Sequence, residues 1–187
     1  MFVTWVELPD GPAVAAGTRS YASAMPPQNP SADHADDQLS ILDGLILRPF
    51  PDEEGRPDAN GQWGAPGFHL AVLRESQDFW EDRSTEIVDA AEGELAADLA
   101  ALAVVLTGRW GAPEAIDLRP YLGLDDPDYP GNKAPEPLSY LCNVAVDMQV
   151  WRVPSACRWL GLTIGQGDRE LPFELLAAVG ESSSFPR

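Results

Sequence analysis

Lysine is nearly absent from this chain. Eleven of its 12 basic residues are arginine, Lys133 stands alone, and 30 acids oppose them, leaving a formal charge of -18 over 187 residues. A surface so negative repels nucleic-acid phosphates and anionic lipid, so neither nucleic acid nor a membrane is an expected partner, whereas a basic protein is. Histidine and cysteine are scarce as well, with two of each. His34, His69, Cys142 and Cys157 show no paired spacing, so no metal site is expected, and a Ser-His-Asp or Cys-His arrangement has little raw material. Cys142 and Cys157 flank an expected strand; at about 3.3 Å of rise per residue they stand too far apart for a bridge, which fits reduced thiols in a cytoplasm. No run is long enough to span a bilayer, and the opening MFVTWVELPDGPAVAAG has neither a basic leader nor the apolar core of a signal peptide. A soluble protein that stays in the cytoplasm is expected.

Catalytic and nucleotide-binding motifs are missing too. There is no P-loop, no Gly-x-Ser-x-Gly elbow and no HExxH. GQGDRE, from Gly165, has two glycines after an expected strand, but Glu170 stands where the third glycine belongs and would repel a phosphate, so the segment reads as a turn. DDPDYPGN, from Asp125, fails as a calcium loop: with Asp126 as first ligand, Pro130 falls at the fifth position and Pro137 where a bidentate acid is needed. No cofactor is expected.

What the chain does contain is one long helical signal, STEIVDAAEGELAADLAALAVVLTGRW, from Ser84 to Trp110. Ile87, Ala91, Leu95, Leu99, Leu102, Leu106 and Trp110 recur at steps of three or four and form one core stripe. The opposite side, with Ala90, Gly93, Ala97, Ala101 and Val104, is small rather than polar, which predicts a helix enclosed on more than one side. Its first turns carry Glu86, Asp89, Glu92 and Glu94 and are expected in water, so the helix enters from solvent and finishes inside. Asp98 is the one polar residue between Leu95 and Leu106; it is expected at the edge of the buried face, reaching water, the alternative being a pairing with a buried arginine such as Arg109, Arg152 or Arg158.

Before the helix, Phe2 to Leu8 alternates like a strand. Pro9 to Pro66 then holds nine of the 18 prolines and a series of Gly, Ser and Asp, which by this reading excludes long helices and continuous sheet there. Within it, Tyr21 to Asp37 reads as an exposed arm or flexible loop carrying His34, Leu45 to Arg48 as a short strand, and PDEEGRPDANGQWG as a hairpin-like excursion. Phe68 to Arg74 is apolar on both faces and predicts an inner strand, with His69 a hydrogen-bonded structural histidine. After the helix, Gly111 suits a left-handed cap and Ala115 to Arg119 offers a strand, so that strand, helix and strand permit a crossover. Val144 to Val153 and Trp159 to Ile164 form a hairpin about Pro154 to Cys157, and Trp151 and Trp159 are expected to pack on each other or on the sheet. Leu171 to Val179 suits either a strand or a short helix; a third antiparallel strand is preferred.

The expected fold is therefore α+β: a mostly antiparallel sheet packed on one long central helix, about residues 84–109, with a proline-rich, loop-rich N-terminal third. It is read as a single domain, 1–187, divided into a wrap (1–66), strand-helix-strand (67–119), a proline-rich loop (120–138) and a hairpin or meander (139–181). The leading functional expectation is a small acidic protein-binding module, such as an immunity or antitoxin-type inhibitor of a basic protein, contacting its partner through Glu86, Asp89, Glu92 and Glu94 or through the Asp52 to Asp58 loop. One alternative is a small hydrolase or lyase with a carboxylate site, for which Asp168, Arg169 and Glu170 are the most concentrated acids and base. Another is a structural subunit of a larger assembly.

Overall fold

The computed structural model describes residues 30–123 and 134–186. Phe2 to Leu8, the stretch from Tyr21 to Asn29 and the acids at Asp125, Asp126 and Asp128 lie outside those residues.

The first element among the described residues is a helix, where a loop and a short strand are expected from the sequence. Helix α1 spans Pro30–Leu47. Prolines are dense around this segment but absent inside it: Pro30 occupies the first helical position, where its missing N–H costs nothing, and Pro49 biases Arg48 away from helical geometry. Leu39, Leu42, Leu45 and Ile46 are buried at helical spacing, which is why the stretch around Leu45 is not a strand. His34 is an exposed residue of this helix rather than part of a loop.

Six strands form one antiparallel sheet in the order β1-β2-β6-β5-β4-β3. They are β1 (Gln62–Ala65), β2 (Phe68–Glu75), β3 (Glu114–Asp117), β4 (Asp147–Val153), β5 (Arg158–Gly165) and β6 (Glu174–Glu181). The excursion before Phe68 is in part a hairpin, since β1 pairs with β2 around Pro66 and Gly67, the latter at φ 88°. Leu171 to Val179 resolves in favour of a strand: β6 runs antiparallel to β2 on one side and β5 on the other. Its apolar residues on both faces blur the alternation because both faces of the sheet are covered.

One face packs under α1 and α2 (Thr85–Trp110), with Leu42, Leu45, Leu95, Leu102 and Leu106 meeting Trp151, Leu160, Leu162, Leu175 and Val179. The other face meets α4 (Leu138–Val144) through Leu138, Leu141 and Cys142, against Leu70, Met148, Val150, Trp159, Leu176 and Ala178. A short α3 (Arg119–Leu122) lies between β3 and α4 in sequence. Helix α4 displaces the start of the expected hairpin: Val144 belongs to the helix and β4 begins at Asp147, because Leu138, Leu141 and Cys142 already make a helical stripe. The two tryptophans lie within the sheet but not together, Trp151 on the α2 face and Trp159 on the α4 face, both buried.

Helix α2 connects β2 to β3, strands that share a direction but have β6, β5 and β4 between them. It caps at Gly111, whose N–H reaches the Thr107 carbonyl with φ 90° and ψ -177°, a mirror-extended conformation rather than the expected left-handed helical one. The second, enclosed side predicted for α2 is not found among the described residues: Ala97, Ala100, Ala101, Thr107 and Gly108 are exposed and Val104 is 74% exposed. Alanine serves here as a strong helix former on a surface, and an apolar count does not separate that use from burial.

Candidate functional site

The acids of α2 divide according to whether the fold supplies them with a cation. Glu94 and Asp98, four residues apart and therefore on one face, share Arg74 at the end of β2, at 2.7 and 2.6 Å respectively. Asp98 is neither unpaired at an edge nor bound to Arg109, Arg152 or Arg158. Those three are engaged elsewhere: Arg109 pairs with Asp43 of α1 at 2.7 Å, and Arg152 with Glu114 at 3.1 Å. Arg158 donates to the carbonyl oxygens of Leu45 and Ile46 at 3.0 and 2.8 Å, at the negative end of α1, with its guanidinium over the Phe50 ring. Sequence reasoning missed Arg74, although Glu94 and Asp98 in register on one helical face, next to a strand ending in Arg, was a usable signal.

Glu86, Asp89 and Glu92 differ from Glu94. All three are exposed on α2, and among the described residues no ion pair engages them. Glu92 borders an open groove of about 550 Å³ between α2 and the sheet. The groove lies where the middle of α2 (Glu92 to Ala100) faces the start of β4 and the end of β5. Its floor and walls include Leu99, Leu162, Ile164 and Phe173, and its rim carries Glu92, Asp147 and Gln149. Asp89, three residues before Glu92, stands on the same side of the helix by spacing. The arrangement combines apolar contact area with an anionic rim.

Asp168, Arg169 and Glu170 lie in the exposed turn between β5 and β6. Arg169 donates to Glu170 at 2.8 Å, and Asp168 is held below the usual carboxylate range by its contact with the Glu170 side chain and by the backbone N–H groups of Glu170 and Arg169. An anion kept ionised in open water has little acid-base use near neutrality. A carboxylate shifted in the opposite direction lies elsewhere. Glu174, half-buried at the start of β6, stands cross-strand from Glu75, and burial followed by the Glu75 charge raises its pKa; burial also raises that of Tyr140 nearby.

Among the described residues no three His, Cys, Asp or Glu side chains converge as metal ligands. His69 is buried in β2 with Nε2 3.3 Å from the Arg48 carbonyl, as a structural histidine should be. The two cysteines form no disulfide with each other: Cys142 is buried in α4 and Cys157 is exposed in the β4–β5 turn. Among the described residues no helix is long and apolar enough to cross a membrane. Compared with known proteins, the chain matches no family model, no curated protein and no solved structure.

Proposed function

We propose that this chain is a non-catalytic protein-binding module of the cytoplasm that captures a basic protein through the N-terminal half of α2. The observation that supports this reading is the unequal use of charge. Arg74, Arg109, Arg119, Arg152 and Arg169 are all held by acids of the chain itself, whereas Glu86, Asp89 and Glu92 project from one helix without an ion pair among the described residues. Unmatched carboxylates steer cationic partners and gain most when a partner excludes water from them. An inhibitor of a basic toxin is one such role, and neither nucleic acid nor a membrane has a place in it.

The test is affinity capture from the native lysate at low and high salt, with mass spectrometry of the eluate, repeated with Glu86→Lys, Asp89→Lys and Glu92→Lys combined. A stoichiometric basic protein, released by salt and lost on charge reversal, is expected. Recovery of nothing at either salt overturns the reading, and binding that survives reversal moves the contact off α2.

A second reading, a subunit of a larger assembly, draws on the exposed Ala97, Ala101 and Val104 face of the same helix. Sedimentation across a concentration series distinguishes it, since only this reading requires self-association or a constant companion insensitive to salt.

A further inference from the structure

We infer that the groove beside α2 receives a single arginine or lysine side chain of the basic partner, presented on a segment with apolar neighbours; the inference rests on the reading just proposed and locates its anchor. The groove joins two chemistries that such a side chain also joins. Leu99, Ile164 and Phe173, all partly exposed, offer apolar area to an aliphatic stem, and the exposed Glu92 and Asp147 border it where a cationic head would emerge. No arginine is among its lining residues. Arg119, whose charge interacts with Asp147, is itself held by Asp117 at 2.8 Å.

Charge complementarity therefore selects among occupants. An acidic peptide would meet two carboxylates, and a purely apolar one would leave both desolvated without a partner. A second copy of this chain would bring its own excess of acids to the same rim. Val146, 59% exposed beside Asp147, extends the apolar surface past the rim, so apolar residues flanking the basic one also find contact.

The experiment uses the full chain, ¹⁵N-labelled, titrated with the peptide acetyl-Ala-Val-Arg-Val-Ala-amide, with its norleucine-for-arginine analogue, and separately with nona-arginine as a probe of acidic capture in general. The arginine peptide is expected to shift amides of 92–100, 144–149 and 162–166, and the norleucine analogue to bind at least several-fold more weakly. Glu92→Gln should weaken the arginine peptide by about two- to fivefold, the range of a rim ion pair. Ala96→Trp, which fills the groove from an exposed helix position, should abolish the shifts without unfolding the protein. If nona-arginine binds but shifts other amides and is indifferent to Ala96→Trp, the groove is not the anchor while acidic capture stands. If neither peptide binds, both inferences fall. If the groove amides shift with protein concentration alone, the occupant is a second copy and the inference is overturned.

Discussion

Arg74 and Asp98 meet at 2.6 Å, Nη1 to Oδ2, and tie β2 to α2 across a gap of 24 residues. The contact depends on an irregularity in β2. Between Val72 and Arg74 the register against β6 slips, so that Leu73 joins the α2-side core while Arg74 also turns to that side and reaches the helix.

Replacing Arg74 by Met is expected to destabilise the fold by about 1–3 kcal/mol, because it leaves two carboxylates four residues apart on one helix face and removes charged hydrogen bonds from the mostly buried Asp98. Asp98→Asn should cost less, about 1 kcal/mol, since Arg74 keeps Glu94 and reaches water. Urea unfolding of both variants checks the order. Equal losses would show that the helix-face repulsion contributes nothing.

Glu174 gives a pH dependence of opposite sign to that of an ordinary surface carboxylate. Its pKa is raised in the fold by burial and by Glu75, so its contribution is most favourable below about 4.5 and is lost as pH rises through the folded value. Glu174→Gln is therefore expected to stabilise the protein at pH 7 by on the order of 0.5 kcal/mol, the scale of a cross-strand like-charge contact. The gain should vanish near pH 4. Melting curves at both pH values check this; a gain unchanged with pH would place the effect in packing rather than charge.

His69 works the other way. Burial holds its pKa below the ordinary value, with a smaller opposing effect from its hydrogen bond to the Arg48 carbonyl. Below about pH 6.5 the unfolded chain takes up a proton that the folded chain refuses, so this contribution is present above that pH and declines as pH falls toward the folded value. His69→Asn should show a shallower decline than the unaltered protein between pH 7.5 and 5.5, with His34→Gln as the exposed control. Parallel pH profiles for all three would show that the buried ring does not titrate differently on unfolding.

Gly180 lies cross-strand from Trp159, and a Cβ placed on it would overlap the indole. The ring has little freedom to move, being buried and donating through Nε1 to Ser184 Oγ at 3.2 Å. Gly180→Ala should cost about 1–3 kcal/mol. Gly93→Ala, on the open side of α2 with no neighbour within 4 Å, should instead stabilise by up to about 1 kcal/mol. Thermal unfolding of the pair gives opposite shifts if this account is correct.

The α2 helix and the β4–β5 hairpin are legible because their periodicities run long enough to outweigh local noise. Helix α1 is hidden because prolines were counted across the whole N-terminal third, although Ser31 to Arg48 contains none. The two sides of α2 look alike in sequence because alanine suits both a surface helix and a core. Residues Glu86, Asp89 and Glu92 could be singled out by charge, but separating them from Glu94 required knowing that the bulge brings Arg74 to the helix. The groove has no sequence signature at all, since its lining comes from stretches far apart in the chain, 92–100, 144–149, 162–166 and 173.

The position of β6 has a consequence for how the fold can be assembled. The last of these six strands in sequence order is inserted between β2 and β5, and among the described residues there is no direct pairing between the β1–β2 hairpin and the β3–β5 portion. Until residues 174–181 are in place, the two portions share no backbone hydrogen bonds within the sheet. A growing chain therefore holds two half-sheets with open edges, and ordering β6 closes both at once, a late and cooperative step that leaves edge pairing with other chains as its competing outcome.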